Sequence, residues 1–337
     1  MRILVTGGAG YVGSVSAELL LARGHDVTIV DSLVTGHNRA LPDGAIRVNA
    51  SVGDRPAIEQ ALRDHHIEAV LHCASRALVG ESVADPALYY RDNVVAGVAM
   101  LDAMRASGVD RIVFSSSAAV YGAPRQTPIE EDSELRPVNP YGETKRAFEG
   151  ALRWYGEAYG MRAVALRYFN VAGASEKFGE DHSPETHLIP NVLRAIEGGP
   201  PLTVHGTDYP TPDGTCIRDY IDVRDLASAH LAALELTAGA APGLQPLNLG
   251  SGTGFSVRQV LHAAEAVTGR RVPHEYGPRR AGDPAVLVAS NTRAHEVLGW
   301  TAEHGTLEDM IGAAWRWREA NRRGYDDRGP SDGPSRV

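Results

Sequence analysis

The first thirteen residues constrain the fold of this chain more than any other segment. A short apolar run at residues 3–5 is followed by Gly7, Gly10 and Gly13, and a helical pattern then extends over residues 14–23. Such an apolar run is typical of a buried parallel strand. Glycines at this spacing allow a tight turn from strand to helix and let the backbone approach a pyrophosphate at the helix N-terminus. The segment therefore predicts a strand–turn–helix unit that binds a dinucleotide.

The second strand indicates which dinucleotide is bound. The apolar run at residues 27–30 ends in Asp31, whose carboxylate can accept hydrogen bonds from an adenosine ribose. The same carboxylate repels a 2′-phosphate, and Ser32 supplies no compensating positive charge. A glycine-rich turn alone is often only a turn. A strand, spaced glycines, a helix, a second strand and an acid in this order nevertheless favour NAD over NADP as the cofactor.

Strands and helices alternate through the first half of the chain. The pattern predicts strands at residues 2–6, 26–31, 45–49, 68–72, 111–115 and 162–167, and helices at 12–23, 54–64, 86–107 and 141–159. This order is typical of an α/β doubly wound parallel sheet, the Rossmann fold. After Asn170 a polar loop precedes smaller elements. We expect an NAD-binding domain at 1–172, a smaller C-terminal α/β lobe at 173–322 with segments returning to the first domain, and a disordered tail at 323–337.

Composition excludes several classes of protein. The 337 residues are 43% hydrophobic, enough for a large core, and the net charge of −9 lacks the basic footprint of a nucleic-acid binder. The sequence contains no apolar run of about 18 residues, so no membrane span is expected. Since the first predicted strand begins at residue 2, no signal peptide is expected either. Two cysteines form no disulfide framework, and no His/Cys spacing indicates a metal site. A cytoplasmic protein without bound metal is expected.

A tyrosine and a lysine lie one helical turn apart in the run Asn139-Pro140-Tyr141-Gly142-Glu143-Thr144-Lys145. Only two of the 33 basic residues are lysines. A proline suits the first turn of a helix, so Tyr141 and Lys145 share one face. A nearby ammonium stabilises a phenolate and lowers the pKa of the phenol. The pair predicts a general base and its partner, although an ordinary surface helix can carry the same residues by chance.

Three serines end the fifth predicted strand, at residues 115–117. Ligands of doubly wound sheets bind beyond the carboxyl ends of the strands. These serines are either strand-end caps or partners of a reacting oxygen.

These motifs together resemble the extended branch of the short-chain dehydrogenase/reductase superfamily and, within it, the UDP-glucose (UDP-galactose) 4-epimerase family. The resemblance covers residues 1 to about 320 and includes Arg167-Tyr168-Phe169-Asn170 and Arg218-Asp219-Tyr220-Ile221. Its further landmarks are residues 6–13, 79–82, 89–93, 114–122, 206–215 and 279–283.

The resemblance implies a role for each matching residue. Tyr141 is implied as the base and acid, Lys145 as the residue that tunes it, and Ser117 as the hydroxyl partner. The implied NAD contacts are Gly7, Gly10, Tyr11, Val12, Gly13, Asp31, Ser32, Ser51, Val52, Cys73, Ala74, Arg76, Asn93, Tyr141, Lys145 and Phe169. The implied UDP-sugar contacts are Ser117, Tyr141, Asn170, His187, Leu188, Thr203, Val204, His205, Arg218, Arg280, Asp283 and Leu287.

The implied reaction is NAD-dependent inversion at C4 of a UDP-hexose through a 4-keto intermediate. Dehydratases of this branch carry an acid where this chain has Ala118 and Ala119, and alanine cannot transfer a proton. Leu287 stands where some epimerases have a tyrosine, so the N-acetylated pair is expected to fit as well. An epimerase of UDP-xylose/UDP-arabinose or UDP-glucuronate shares the same residues. A non-enzymatic NAD-binding regulator is the other alternative, but it needs no proton-transfer residues.

Three positions depart from the family pattern. Arg76 stands near the place of a lysine, Ser51 takes the place of an acid that holds adenine, and Asp222 replaces a histidine. The resemblance also implies a homodimer through the helices at 86–107 and 141–159. Their apolar positions include Val94, Val98, Leu101, Met104, Leu152 and Tyr155.

Overall fold

The computed structural model describes residues 1–124, 126–280 and 283–326. The strands in these ranges are β1 (Arg2–Thr6), β2 (Asp26–Asp31), β3 (Ile46–Asn49), β4 (Ala69–His72), β5 (Arg111–Ser115), β6 (Arg162–Tyr168), β7 (Asn170–Ala172), β8 (Leu202–His205), β9 (Ile217–Arg218), β10 (Tyr220–Asp222), β11 (Gly243–Leu249), β12 (Phe255–Ser256), β13 (His274–Gly277), β14 (Val286–Leu287) and β15 (Arg322–Tyr325). The helices are α1 (Tyr11–Ala22), α2 (Arg55–Asp64), α3 (Val79–Ala84), α4 (Pro86–Tyr89), α5 (Ala96–Ala106), α6 (Pro140–Tyr159), α7 (Leu188–Ile196), α8 (Val223–Leu236), α9 (Val257–Thr268), α10 (Thr292–Leu298) and α11 (Leu307–Ala320).

A seven-stranded sheet with the order β11-β6-β5-β4-β1-β2-β3 forms the first lobe. All of its neighbouring strands run parallel. The order reverses direction at β1, so the carboxyl ends of β1 and β4 border a crevice, which is where such sheets bind ligands. The predicted α/β doubly wound sheet is confirmed.

Alternating side chains of β1 place a hydrophobic core on each face of this sheet. Ile3 and Val5 pack into the core that includes α1 and α8, whereas Leu4 packs into the core that includes α2, α5 and α6. All three side chains are buried, because a strand of a parallel sheet is covered on both faces. The sheet is therefore a rigid support for the loops at its carboxyl edge.

The second lobe is smaller and is built from α7, α9, α11 and short strands. Its core includes Ile189, Val192 and Leu193 of α7 together with Val260 and Ile311. The parallel pair β8–β13 and the set β12-β9-β14 lie in this half of the chain. Among the described residues, no helix has both the length and the apolar character needed to span a lipid bilayer.

The structure differs from the sequence expectations in three places. The strand β11 was not predicted, yet it pairs with β6 and completes the main sheet. The predicted helix at 86–107 contains a π-helical turn at Tyr90–Val95. The expected disorder is wrong at residues 323–325, because β15 forms there and Tyr325 is buried with its hydroxyl donating to the Gly179 carbonyl. The rest of the expected tail, residues 327–337, lies outside the described residues.

Candidate active site

The turn between β1 and α1 has no room for side chains at two of its glycines. Gly7 has a φ of +72°, and a Cβ there would lie 2.6 Å from the backbone nitrogen of Ala74. A Cβ on Gly13 would lie 2.1 Å from the Gly7 carbonyl oxygen. Glycine at these positions lets the chain turn from the sheet edge into α1, whose N-cap is Gly10. The first amide groups of α1 thus face the crevice as anion donors.

The Asp31 carboxylate is fixed at the end of β2 beside this turn. It accepts hydrogen bonds from the backbone N–H groups of Ala9, at 2.9 Å, and Leu33, at 2.8 Å. Ser32 follows it with an exposed side chain. A glycine cradle, a helix N-terminus and an uncompensated carboxylate in this arrangement fit the diphosphate and the ribose of NAD.

The remaining predicted cofactor residues lie on the loops around the same edge. Ser51 and Val52 follow β3, Cys73 and Ala74 follow β4, and Phe169 follows β6. Tyr11 is buried, and its hydroxyl donates to the Gly173 carbonyl oxygen, so its side chain joins the two halves of the chain.

Asn93 is buried in the π-helical turn and binds the loop that carries Arg76. Its amide oxygen accepts from the Arg76 backbone N–H, and its amide nitrogen donates to the Arg76 carbonyl and to the Thr144 hydroxyl. The Arg76 guanidinium itself donates to Asp92 at 3.1 Å and lies 3.8 Å from Glu81. Arg76, which departs from the family pattern, is therefore paired with acids of the neighbouring helices.

Tyr141 and Lys145 lie in the first two turns of α6, as predicted. The Asn139 side chain caps this helix by accepting from Gly142 N–H at 2.9 Å, and Pro140 occupies the first turn. Lys145 is buried, and its Nζ donates to the Ser115 carbonyl oxygen at 2.7 Å. The same Nζ lies 5.7 Å from the centre of the Tyr141 ring. The end of β5 and the start of α6 thus meet at the crevice.

The environment changes the pKa values of both residues. Burial raises the pKa of Tyr141, and a hydrogen bond with Ser117 acts in the opposite direction. Burial lowers the pKa of Lys145 to about 7. The net shift of the Tyr141 pKa is upward because desolvation dominates, and the lowering expected from the Lys145 ammonium stays a prediction. The Ser117 hydroxyl is the neighbour that favours the phenolate.

A buried ion pair under the serine run was not predicted. Arg167 and Glu149 form a salt bridge of 2.6 Å, and both side chains are only 3% exposed. Glu149 also accepts from the Ser116 hydroxyl at 2.6 Å, and Arg167 donates to Tyr121 and to the Glu131 carbonyl. Burial lowers the pKa of Arg167, but the bonds to Glu149 outweigh burial and raise it. This network fixes the segment that presents Ser117.

Several predicted substrate residues converge on the short strands β9 and β14. Leu287 lies opposite Arg218 in the register, and the Arg218 guanidinium is 2.5 Å from the Asp283 carboxylate. Leu287 also packs against the apolar cluster of Val120, Tyr121 and Ile129, which Ala118 and Phe169 contact too. The Asn170 amide donates to the Asp219 carbonyl oxygen at 2.7 Å. Arg218, Asp283, Leu287 and the end of β6 therefore surround one region.

The other predicted substrate residues are less uniform. Thr203, Val204 and His205 form β8, but Val204 is buried in the core of the second lobe and offers a ligand only its backbone. Arg280 is exposed. His187 and Leu188 lie at the start of α7, where His187 is the N-cap.

Four side chains before α7 form a cluster that the sequence did not predict. Ligand atoms of Glu180, His182, Glu185 and His187 lie within 4.8 Å of one another, against the expectation of no metal-binding group. Burial lowers the pKa of His187, but hydrogen bonds to Glu180 and Glu185 outweigh burial and raise it to about 10. The spacing in sequence, E-x-H-x-x-E-x-H, is a signal for this cluster, because it combines two carboxylates with the two histidines.

Known proteins share the sequence and the fold described above. The model of the NAD dependent epimerase/dehydratase family matches residues 3–250. A UDP-glucose 4-epimerase of Corynebacterium glutamicum is 50% identical over 321 residues, which cover 95% of this chain and 96% of that protein. The solved UDP-glucose 4-epimerase of Brucella ovis in complex with NAD is 44% identical, with a TM-score of 0.91 and coverage of 93% of this chain and 97% of that one.

A second solved structure is the UDP-glucose 4-epimerase of Bifidobacterium longum in complex with NAD⁺ and UDP. It is 37% identical, has a TM-score of 0.90, and the match covers 96% of this chain and all of that one (100%). The family match spans well over half of the chain, and the glycine cradle, Asp31 and the Tyr141–Lys145 pair lie within it. This chain belongs to the NAD dependent epimerase/dehydratase family.

Proposed function

We propose that this protein catalyses the NAD-dependent interconversion of UDP-glucose and UDP-galactose, a reaction of galactose metabolism. The observation that carries the proposal is the placement of Tyr141, Lys145 and Ser117 at the carboxyl edge of the sheet, beside the glycine cradle and Asp31. Ala118 and Ala119 supply no second acid next to Ser117. The proteins compared above carry the name of this activity, and two of them hold NAD in their solved structures.

The side chains of the site divide the proton transfer between them. Tyr141 as phenolate takes the proton of the sugar 4-hydroxyl, and Ser117 holds the same oxygen by a hydrogen bond. Held by the glycine cradle and Asp31, NAD would supply the two-electron chemistry that oxidises C4 and then reduces it from the other face. Tyr141 then gives the proton back, so the net change in oxidation state is zero. Lys145 keeps a positive charge near the phenolate and holds the nicotinamide ribose.

The remaining predicted residues are proposed to bind the two nucleotides. Residues on the loops after β1, β2, β3 and β4, with Asn93 and Phe169, contact NAD. Arg218 is proposed to pair with the UDP diphosphate, because a guanidinium offers charged donors in a fork that fits phosphate oxygens. Its present partner Asp283, at 2.5 Å, holds it in position. Residues 1–172 are then proposed as the NAD-binding domain and residues 173–322 as the UDP-sugar lobe, with α8 and β11 as segments that return to the first domain.

The protein is also proposed to be a cytoplasmic homodimer. The π-helical turn before α5 exposes Val95, and α6 exposes Trp154 and Tyr159, with exposed fractions of 64%, 59% and 53%. Leu101, Met104 and Leu152, which were assigned to the interface from the sequence, are instead fully buried in the first lobe. The proposal of a dimer therefore depends on the outward residues of these helices, and no longer on those three.

An assay of the purified protein with UDP-galactose tests the activity. We expect conversion to UDP-glucose without added NAD, measured by proton NMR of the sugar anomeric signals, because the cofactor is regenerated in each cycle. Tyr141→Phe should lower the rate by about 10²–10⁴-fold, since it removes the acid and base. Tyr159→Phe changes the same residue type on the same helix and should keep full activity. Turnover by Tyr141→Phe within about tenfold of the wild type contradicts the assignment.

A further inference from the structure

We propose that Glu180, His182, Glu185 and His187 bind one zinc ion as a structural site. Each residue offers one ligand atom, and these four atoms lie within 4.8 Å of one another. No residue of this group takes part in the proton transfer proposed for Tyr141. The site is therefore additional to the epimerase chemistry, and its tests require no turnover.

The distances in the cluster match a tetrahedral shell after small movements. His187 Nδ1 lies 2.5 Å from Glu180 Oε1 and 3.4 Å from Glu185 Oε1. His182 Nδ1 lies 3.0 Å from Glu180 Oε1 and 4.0 Å from Glu185 Oε2. Ligand atoms of a tetrahedral zinc ion with bonds of about 2.0–2.1 Å are separated by about 3.3 Å. The four separations, taken to Oε1 of Glu180 and to either carboxylate oxygen of Glu185, lie on both sides of that value.

The charges of the cluster also favour a divalent cation. The side chains of Glu180 and Glu185 are only 7% and 1% exposed, and both face the two imidazoles. Two buried carboxylates require two compensating positive charges. Either two imidazolium groups or one divalent ion with neutral imidazoles can supply them. Imidazole nitrogens favour zinc over magnesium or calcium, which prefer oxygen ligands.

The backbone around the cluster holds the ligands in place. Glu185 Oε1 accepts hydrogen bonds from the N–H groups of Thr186, at 2.8 Å, and His187, at 2.9 Å. The Asn191 amide of α7 donates to the His187 carbonyl at 2.9 Å. The bonds to Glu185 orient its carboxylate, as outer contacts do in metal sites, and the bond from Asn191 holds the His187 backbone. The local fold therefore presents a prepared set of ligands rather than four unrelated side chains.

The position of the cluster indicates what the zinc ion stabilises. His37 of the first lobe contacts the Asp181 carbonyl at 2.9 Å, and Tyr325 N–H donates to the Asp181 carboxylate at 2.9 Å. His187 is the N-cap of α7, and Leu188 follows it. Zinc would thus clamp residues 180–187 between the first lobe and α7. The imidazole of His187 then serves the metal, and only its backbone remains for the UDP-sugar contact implied by the sequence.

Metal analysis of the protein without an affinity tag tests the site. After gel filtration of protein grown with zinc, mass spectrometry should find about one zinc per chain. The variant His182→Ala/His187→Ala should retain less than about a tenth of that content, because two of four ligands are lost. His262→Ala removes an exposed histidine of α9 and should keep the zinc. Zinc-free wild type that takes up no zinc, or equal zinc in the double variant, overturns the proposal.

Two further measurements separate this site from misfolding and from thiol binding. Glu185→Gln preserves size and should also lose zinc while circular dichroism and bound NAD stay as in the wild type. X-ray absorption at the zinc edge should show imidazole and oxygen neighbours at about 2.0–2.1 Å; a sulfur shell at about 2.3 Å would assign the metal to Cys73 or Cys216 and refute the site. Zinc, but not magnesium, should raise the Tm of chelator-treated protein. An equal rise with magnesium contradicts the choice of metal.

Discussion

Lys145 brings an ammonium group into a part of the site where water does not reach. Burial lowers its pKa to about 7, whereas a lysine in an unfolded chain has a pKa of about 10.4. Between these values the unfolded chain binds more protons than the folded protein, so the contribution of Lys145 to stability rises with pH. Replacing it with methionine removes this dependence.

The Lys145→Met variant should therefore gain most in stability over the wild type at neutral pH, where burial of the ammonium costs most. We expect the free energy of unfolding of the wild type, minus that of the variant, to increase as the pH rises from about 7 to about 10. Urea unfolding at several pH values measures this difference. Lys177→Met changes the other lysine of the chain, which is exposed, and should give a difference that is independent of pH. A flat profile for both variants would show that Lys145 is not desolvated.

Leu287 is the residue most closely connected with substrate range. It packs against the cluster that Ala118 and Phe169 also contact, next to the strand of Arg218. Leucine lacks the outer ring atoms and the hydroxyl of tyrosine, so a 2-acetamido group has more room beside it. We expect the wild type to interconvert UDP-GlcNAc and UDP-GalNAc in addition to the plain pair.

The Leu287→Tyr variant tests this prediction. Its kcat/KM for UDP-GlcNAc should fall by about 10–200-fold relative to that for UDP-galactose, the usual range when a pocket discriminates by the space for one small group. Leu287→Met keeps the volume and should leave the ratio unchanged. If the wild type turns over UDP-galactose readily and UDP-GlcNAc not at all, then the size of this side chain does not set the specificity.

At the scale of elements, α6 carries both the catalytic pair and the acid that holds the serine segment. Glu149 is buried against Arg167 and accepts from Ser116. Removing the charge of Glu149 leaves the Arg167 guanidinium buried without compensation, which typically costs about 3–5 kcal/mol. We expect Glu149→Gln to lower the free energy of unfolding by about this amount, measured by denaturant titration.

The same helix offers a control for this prediction. Glu143 pairs with Arg146 at 2.6 Å, three residues along the exposed face. Pairs of this kind contribute less than about 1 kcal/mol, so Glu143→Gln should be close to neutral. Equal losses for Glu143→Gln and Glu149→Gln would show that burial does not determine the cost.

Sequence patterns predicted the elements of the first lobe better than those that return to it. Residues 2–6, 26–31 and 111–115 were predicted with the observed bounds, because an apolar run between polar turns is unambiguous in a buried parallel strand. The strand β11 was missed because Pro246 interrupts its apolar pattern; proline is tolerated there because β11 is an edge strand. The family departure at Asp222 was explained only by the structure, where this buried carboxylate caps α8 and pairs with Arg224.

Across the whole molecule, the sequence predicted the residues of the crevice but not the contacts that hold them. The glycine cradle, Asp31, Tyr141 and Lys145 follow local rules of spacing, and each lies at the predicted edge of the sheet. The Arg167–Glu149 pair joins β6 to α6, and such a partner depends on tertiary packing rather than on spacing. The same reason hid the direction of the pKa shift of Tyr141, because burial is a property of the folded chain.

The outward face of α5 and α6 leads to a prediction about the assembled protein. Val95, at the end of the π-helical turn before α5, and Trp154 of α6 are exposed, and exposed large apolar side chains are typical of an interface. Light scattering should give a mass about twice the 36.0 kDa of one chain. Val95→Glu places a charge in the proposed interface and should shift the mass to that of one chain. Val34→Glu changes an exposed valine that is distant from Val95 in the sequence, and it should leave the mass unchanged. A wild type that is monomeric at micromolar concentration would leave this face as ordinary surface and refute the dimer.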